Sequence, residues 1–325
     1  MNLAIMDALL NPQYWLTMAA NHPHFWALWL ALLIHWLLPL SANYSPFQYW
    51  QQYALILADQ VNQPTDPKRQ RKLAGGLALA LMCGTLAILL IATRELVWFR
   101  PLFDALLLWL ALDWRNIDTF SQAFADAIEQ HDKGTARALL ANRVNRETES
   151  LSIVGLGKAG AETILLGTAR HGACVIFYFV LFGGVGALLY ASLVRLARVW
   201  SPSRLTFYPF GLAVARLLNG LDYVPMRLFA LLFALGRSPL THLKACWQQG
   251  QRWRTPGPGW LLACASSRFQ LSLGGPAIYQ GTKTLRTKIG SGVTPACYHL
   301  LLLRQKLRVS MLIWIAFSAL CLLIV

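Results

Sequence analysis

Apolar residues in this chain come in long unbroken stretches, with little alternation between apolar and polar positions. Five stretches read as membrane helices: Phe25 to Leu40, Leu73 to Thr93, Leu96 to Leu112, Gly172 to Leu193 and Val309 to Val325. A tilted helix needs roughly 20 apolar residues to cross a bilayer, and the second and fourth stretches meet that length best. The first is short and contains His35. The third carries Arg100 and Asp104, four apart on one helix face, which predicts an ion pair packed against other helices or lining a polar cavity. The pattern as a whole predicts an all-α, polytopic integral membrane protein with about four or five transmembrane helices.

Between these stretches lies a polar middle, Asp113 to His171, with eight acids and seven basic residues. Phe120, Phe124 and Ile128 recur at i+4, and Asp118 is placed to cap that helix. "HDKG" breaks it, and Ala136, Leu139, Leu140 and Val144 form a second amphipathic face. The segment therefore reads as a helical hairpin packed on the membrane core. In "RVNRETESLS", the alternating Arg143, Arg146, Glu147 and Glu149 read as a solvated, mutually paired face.

Composition supports the membrane reading, with 56% hydrophobic and only 13% charged residues. Asp7, Pro12 and several aromatics interrupt the N-terminal stretch, which lacks the pattern of a cleaved signal peptide. The six cysteines lack CxxC or His-adjacent spacing and read as small apolar helix residues. The chain divides into N-terminal membrane helices (1–112), the polar hairpin (113–171), a helix plus basic segment (172–308) and a C-terminal membrane helix (309–325), all in one domain.

Charge is concentrated in one place. Val194 to Arg308 carries sixteen Lys/Arg against Asp222 alone, which equals the chain's entire net charge of +15. Such a segment suits anionic lipid or an anionic substrate, and the absence of a recognition module argues against nucleic acid. The positive-inside rule alone also accounts for it. That rule places Lys68, Arg69, Arg71 and Lys72 in the cytoplasm, so a single further crossing at Gly172 to Leu193 would export the basic segment. Either that stretch is re-entrant, or Asp222 to Gly236 returns the chain.

Within the basic segment, "LSLGGPAIYQGTK" (Leu271 to Lys283) spends three glycines, a proline, a tyrosine and a lysine on thirteen residues. It reads either as a plain turn between helices or as a loop whose backbone approaches an anion.

Several stretches in order resemble the cobalamin-biosynthesis CobD/CbiB family, the membrane-bound adenosylcobinamide-phosphate synthases. They are "ARALLANRVNRETESLS" with Arg146, Glu147 and Thr148, "FGLAVARLLNGLDYVPMRLFALL" with Gly211, Ala215, Arg216, Pro225 and Arg227, and "LGGPAIYQG". The likeness runs from about Asp113 to Gly281. It implies ATP-dependent amide formation between the propionate carboxylate of adenosylcobyric acid and an aminopropanol or its phosphate, in the bacterial inner membrane. The corrinoid is then substrate, and ATP with Mg²⁺ activates the carboxylate. On that resemblance Glu162, Glu147 and Arg146 are the catalytic candidates. Arg115, Arg216, Arg227, Gly274, Gly275, Pro276, Tyr279, Gly281 and Lys283 are candidates for substrate or phosphate, and Glu147, Glu162 and Asp222 for the metal.

This chain departs from the family where acids are concerned. After Glu162, the Glu-x-x-x-Glu-Asn-x-x-Asp pattern reads Leu166, Gly167 and Arg170. Ala197 stands at another aspartate, Leu218 and Asn219 at an Asp-Asp, and Asn116 after Arg115 at a further one. Three readings follow: a divergent synthase, a non-catalytic sensor or scaffold like the superfamily's AmpE regulator, or a transporter for an anionic corrinoid or lipid.

Overall fold

The computed structural model describes residues 21–38 and 45–324. Leu40 of the first expected span, Val325 of the last, and the N-terminal stretch with Asp7 and Pro12 lie outside them. Twelve helices carry the described chain: α1 (Pro23–Leu37), α2 (Phe47–Val61), α3 (Lys68–Leu96), α4 (Arg100–Ala111), α5 (Trp114–Glu129), α6 (Lys133–Ala141), α7 (Ile153–Thr168), α8 (Cys174–Val199), α9 (Leu212–Ala234), α10 (Pro239–Ala245), α11 (Pro256–Phe269) and α12 (Cys297–Ile324). Four runs are long and apolar enough to cross a bilayer: α3, α7 continued into α8, α9 and α12. The protein is an α-helical membrane protein.

The expected third span fails for length. Helix α4 has 12 residues, or about 18 Å of rise, too little for a bilayer core of about 30 Å. Its charges also pair differently from the expected Arg100–Asp104 contact. Asp104 is fully buried and accepts from Arg94 of α3 at 3.1 Å, while Arg100 bonds Glu95 at 2.5 Å.

The 47-residue apolar run is not one crossing. At Gly183 the backbone takes φ 65° and ψ −160°, a region essentially confined to glycine. In a straight helix Tyr178 and Tyr190 would sit about 18 Å apart, yet their rings stack at 4.9 Å. The run therefore reverses at Gly183 into two antiparallel arms, 169–182 and 184–199, as the re-entrant alternative required. Asp104 Oδ1 accepts the Gly184 N–H at 3.0 Å and so caps the second arm at its positive end. That contact accounts for an aspartate in an otherwise apolar helix.

Two further carboxylates staple the arms. Asp222 of α9 accepts Arg170 at 2.8 and 2.9 Å from one arm and the Tyr190 hydroxyl at 2.6 Å from the other. Asp113 lies 3.9 Å from His171 and 4.0 Å from Arg195. Each acid meets cations or donors from both arms, which costs less than leaving any of them unpaired in an apolar setting.

The polar middle forms the expected hairpin of α5 and α6. Phe120, Phe124 and Ile128 are buried, and the two phenyl rings stack at 5.5 Å. Asp118, expected as an N-cap, lies inside α5 because the helix begins at Trp114. Its carboxylate instead accepts Arg304 (2.9 and 3.0 Å) and Arg308 (2.6 and 2.7 Å) of α12. All six cysteines are free thiols.

A tether fixes one end of the bundle. Arg71, at the start of α3, donates to the Thr206 carbonyl (2.7 Å) and to Asn62 (2.8 Å), whose amide reaches the same carbonyl at 2.9 Å. The basic start of α3 and the loop after α8 therefore share one face.

Candidate functional site

The Gly-Gly-Pro stretch is more than a turn between helices. It forms two small antiparallel ribbons: β1 (Leu273–Gly274) with β4 (Lys288–Ile289), and β2 (Ala277–Tyr279) with β3 (Thr282–Thr284). Gln280 and Gly281, both at positive φ (47° and 75°), make the two-residue connection that closes β2 onto β3, as such tight hairpins require. At Gly274 a Cβ would meet the Thr287 carbonyl at 2.2 Å, and φ is 74°. Only glycine fits there, and its bare N–H is thereby free to face inward.

That N–H donates to Glu162 Oε1 at 2.9 Å. Arg286, just beyond β3, donates to Glu162 Oε2 at 2.9 Å and Oε1 at 3.4 Å, and its Nε holds the Gly275 carbonyl at 3.1 Å. Arg146 adds a 3.4 Å contact to Oε2. Glu162 and Arg146 are each 7% exposed at the side chain. Burial pushes the Arg146 guanidinium below its usual range, with Glu162 pulling it back. Arg286 also sits 5.5 Å from the Trp253 ring, an arrangement that favours its cation.

Neighbouring bonds fasten the loop to the polar middle. Glu147 donates its backbone N–H to the Ile278 carbonyl (2.9 Å) and accepts the Gly281 N–H on Oε1 (2.6 Å). Lys158 reaches Ser272 at 3.4 Å, and Gln280 accepts the Leu205 N–H at 2.7 Å. Tyr279 lies near Arg146. So Arg146, Glu147, Glu162, Gly274, Gly275, Tyr279 and Gly281 converge, with Pro276 exposed at the loop surface. The mutually paired 143–149 face expected from charge alternation is replaced by these long-range partners. Glu162 likewise ignores its helix neighbours: Lys158 goes to Ser272 and Arg170 to Asp222.

Other candidates lie elsewhere. Arg227 stacks on Tyr223 (3.8 Å) and Trp260 (4.6 Å). Arg115 donates to the Trp36 carbonyl. Arg216 is exposed on α9, and Lys283 is exposed on β3 opposite Ile278. Arg286 was missed by sequence reasoning, because one arginine among sixteen cations carries no local signal of its partner.

The expected metal ligands are not assembled. Glu162 is saturated by two guanidiniums and an amide, Asp222 by Arg170 and Tyr190, and Glu147 faces Gly281. Among the described residues, no group of three or more His, Cys, Asp or Glu side chains gathers to hold a metal. Magnesium needs several free oxygen ligands in near-octahedral geometry, so these residues do not fit it. Arg170, which the resemblance sets at a family aspartate, illustrates why. It forms a closed ion pair with Asp222.

A family model described as CobD/Cbib protein matches residues 28–301. The chain belongs to that family. It is 33% identical over 201 residues to the cobalamin biosynthesis protein CobD of Stutzerimonas stutzeri, covering 61% of this chain and 66% of that protein. It is 29% identical over 234 residues to CobD of Chromobacterium violaceum, covering 71% and 74%. The cobalamin biosynthesis protein CbiB of Salmonella paratyphi A is 23% identical over 229 residues, covering 67% and 72%. The match to the Stutzerimonas protein thus spans just under two thirds of that relative's length. No solved structure matches this chain.

Proposed function

We propose that this chain acts in cobalamin biosynthesis at the bacterial inner membrane, forming the amide between the propionate of adenosylcobyric acid and an aminopropanol or its phosphate. The observation that carries the reading is the Gly274–Glu162–Arg286–Arg146 constellation, built from the segments that resemble the synthases. Relatives named for cobalamin biosynthesis support the pathway. A carboxylate is a poor acyl donor, so the reaction takes ATP as phosphoryl donor and yields amide, ADP and phosphate. In this reading Arg146 and Arg286 hold the propionate or transferred phosphate with the guanidinium N–H groups not spent on Glu162.

Glu162 is then a positioning residue, since both its oxygens are taken by Arg286, Arg146 and the Gly274 N–H. Glu147, exposed at the mouth of the loop, is the group to take the amine's proton. The basic start of α3 shares a face with the loop through Thr206, Leu205 and Gln280. The positive-inside rule therefore puts the site in the cytoplasm, where ATP is present.

The occupied carboxylates favour a second reading, a non-catalytic membrane sensor or scaffold that keeps the family's loop. One experiment separates the two. The chain is expressed in a host lacking its cobinamide-phosphate synthase, supplied with cobyric acid, and cobinamide phosphate is assayed by mass spectrometry. Product supports the synthase; folded membrane protein without product supports the scaffold.

A further inference from the structure

Beside the Glu162 constellation lies a second group of cations that makes no salt bridge among the described residues. The loop after α6 is bracketed by arginines from the far end of α8 and from the loop that follows it. Arg198 donates to the Asn142 carbonyl, Arg204 donates to Asn145 Oδ1 at 3.1 Å, and the Asn145 amide reaches the Arg198 carbonyl at 3.5 Å. Arg143, on the same loop, donates to the Asn116 carbonyl at 3.3 Å and sits 5.4 Å from the Phe120 ring. Arg198 lies close enough to Arg143 and Arg204 to feel both charges.

Among the described residues, none of these three forms a salt bridge. Asp113 is the acid that Arg143 feels, and it is already engaged by Arg195, His171 and the Asn116 amide at 2.5 Å. Like charges so gathered repel one another. Here each is fixed by a neutral oxygen, which orients a guanidinium without cancelling its charge and leaves most of its five donors unspent.

We propose that Arg143, Arg198 and Arg204 form a binding site for a phosphate-bearing anion. Guanidinium forks match phosphate oxygens in pairs. Arg204 is one residue from Leu205, whose N–H holds Gln280 of the Gly-Gly-Pro loop, so the site adjoins the Glu162 constellation. As an assignment of substrate class it rests on the proposed amide-forming reading, in which the phosphate belongs to the amine or the nucleotide. Its charge and its place near the membrane face also suit the headgroup of an acidic phospholipid.

The test uses the full chain in nanodiscs of phosphatidylcholine, titrated with inorganic pyrophosphate by calorimetry, with a parallel arm measuring phosphatidic acid retention by native mass spectrometry. The variants are Arg198→Gln, Arg204→Gln and their double, with exposed Lys133→Gln as control and circular dichroism to confirm folding. Each lost guanidinium–phosphate contact is expected to weaken binding about tenfold, with wild-type affinity falling as salt rises. Loss in the pyrophosphate arm assigns a soluble phosphate; loss confined to the phosphatidic acid arm assigns a lipid headgroup. Equal binding by the wild type and the double variant in both arms, or no binding by the wild type in either, overturns the proposal. Because no corrinoid is present, pyrophosphate binding without cobinamide phosphate synthesis sinks the synthase reading and leaves this site standing.

Discussion

Arg286 Nη1 lies 2.9 Å from Glu162 Oε2 across 124 residues of sequence. The contact joins the ribbon after the Gly-Gly-Pro turn to the middle of α7, and both partners are largely buried. Glu162→Gln leaves Arg146 and Arg286 facing a neutral amide, and unpaired buried charges cost about 3–5 kcal/mol. We expect corrinoid amidation to be abolished and thermal stability in detergent to fall, with membrane insertion intact. The double variant Glu162→Gln/Arg286→Gln should recover part of the stability and none of the activity. Unchanged complementation by Glu162→Gln removes the residue from the site.

Gly274 and Gly275 should differ in how they respond to alanine. Both have positive φ, 74° and 91°, but the new methyl at Gly274 meets the Thr287 carbonyl at 2.2 Å, whereas at Gly275 nothing lies within 4 Å. Gly275→Ala is expected to cost the strain alone, about 1–3 kcal/mol. Gly274→Ala should cost more and should also break β1 from β4, moving the amide away from Glu162. Thermal unfolding of the two variants side by side checks the order, and equal losses refute it.

The contacts of Arg71 with Thr206 and of Gln280 with Leu205 predict sidedness. In a background without native cysteines, Arg69→Cys and Lys283→Cys should react with an impermeant maleimide from the cytoplasmic face, and Trp98→Cys, past the far end of α3, from the opposite face. Opposite labelling of Arg69→Cys and Lys283→Cys would refute the shared face that Arg71 and Gln280 make with residues 205 and 206. Gly183→Ala forces a side chain into φ 65° and should lower thermal stability by about 1–3 kcal/mol.

Asp118 should make the docking of α12 on α5 sensitive to acid. Burial tends to raise this carboxyl, but hydrogen bonds from Arg308 and Arg304 and their charges outweigh it and hold Asp118 below the usual carboxylate range. A depressed folded value means that the stabilisation is complete above the unfolded value of about 3.9 and is lost as pH falls through the lower, folded one. Asp118→Asn should therefore melt earlier than wild type at pH 7, and the gap should close in acid below about pH 4. A gap that stays constant down to that range refutes the assignment.

Length and hydropathy of the apolar runs were enough to read a helical membrane protein, since the bilayer demands long apolar helices whatever their neighbours. The i+4 aromatics of α5 gave its buried face for the same local reason. The order of the motifs gave the family, and the glycines of Leu271 to Lys283 marked a turn or loop. Pairing could not be read this way. Asp104 turned to Arg94 and Gly184, Asp118 to Arg304 and Arg308, and Glu162 to Arg146 and Arg286, because a buried charge takes whichever partner the tertiary packing delivers, and sequence spacing ranks only the neighbours on its own helix. The same holds for Gly183: a glycine in an apolar run is compatible with a straight helix, and only the packing of Tyr178 on Tyr190, with Asp113 and Asp222 meeting both arms, decided that the chain turns back.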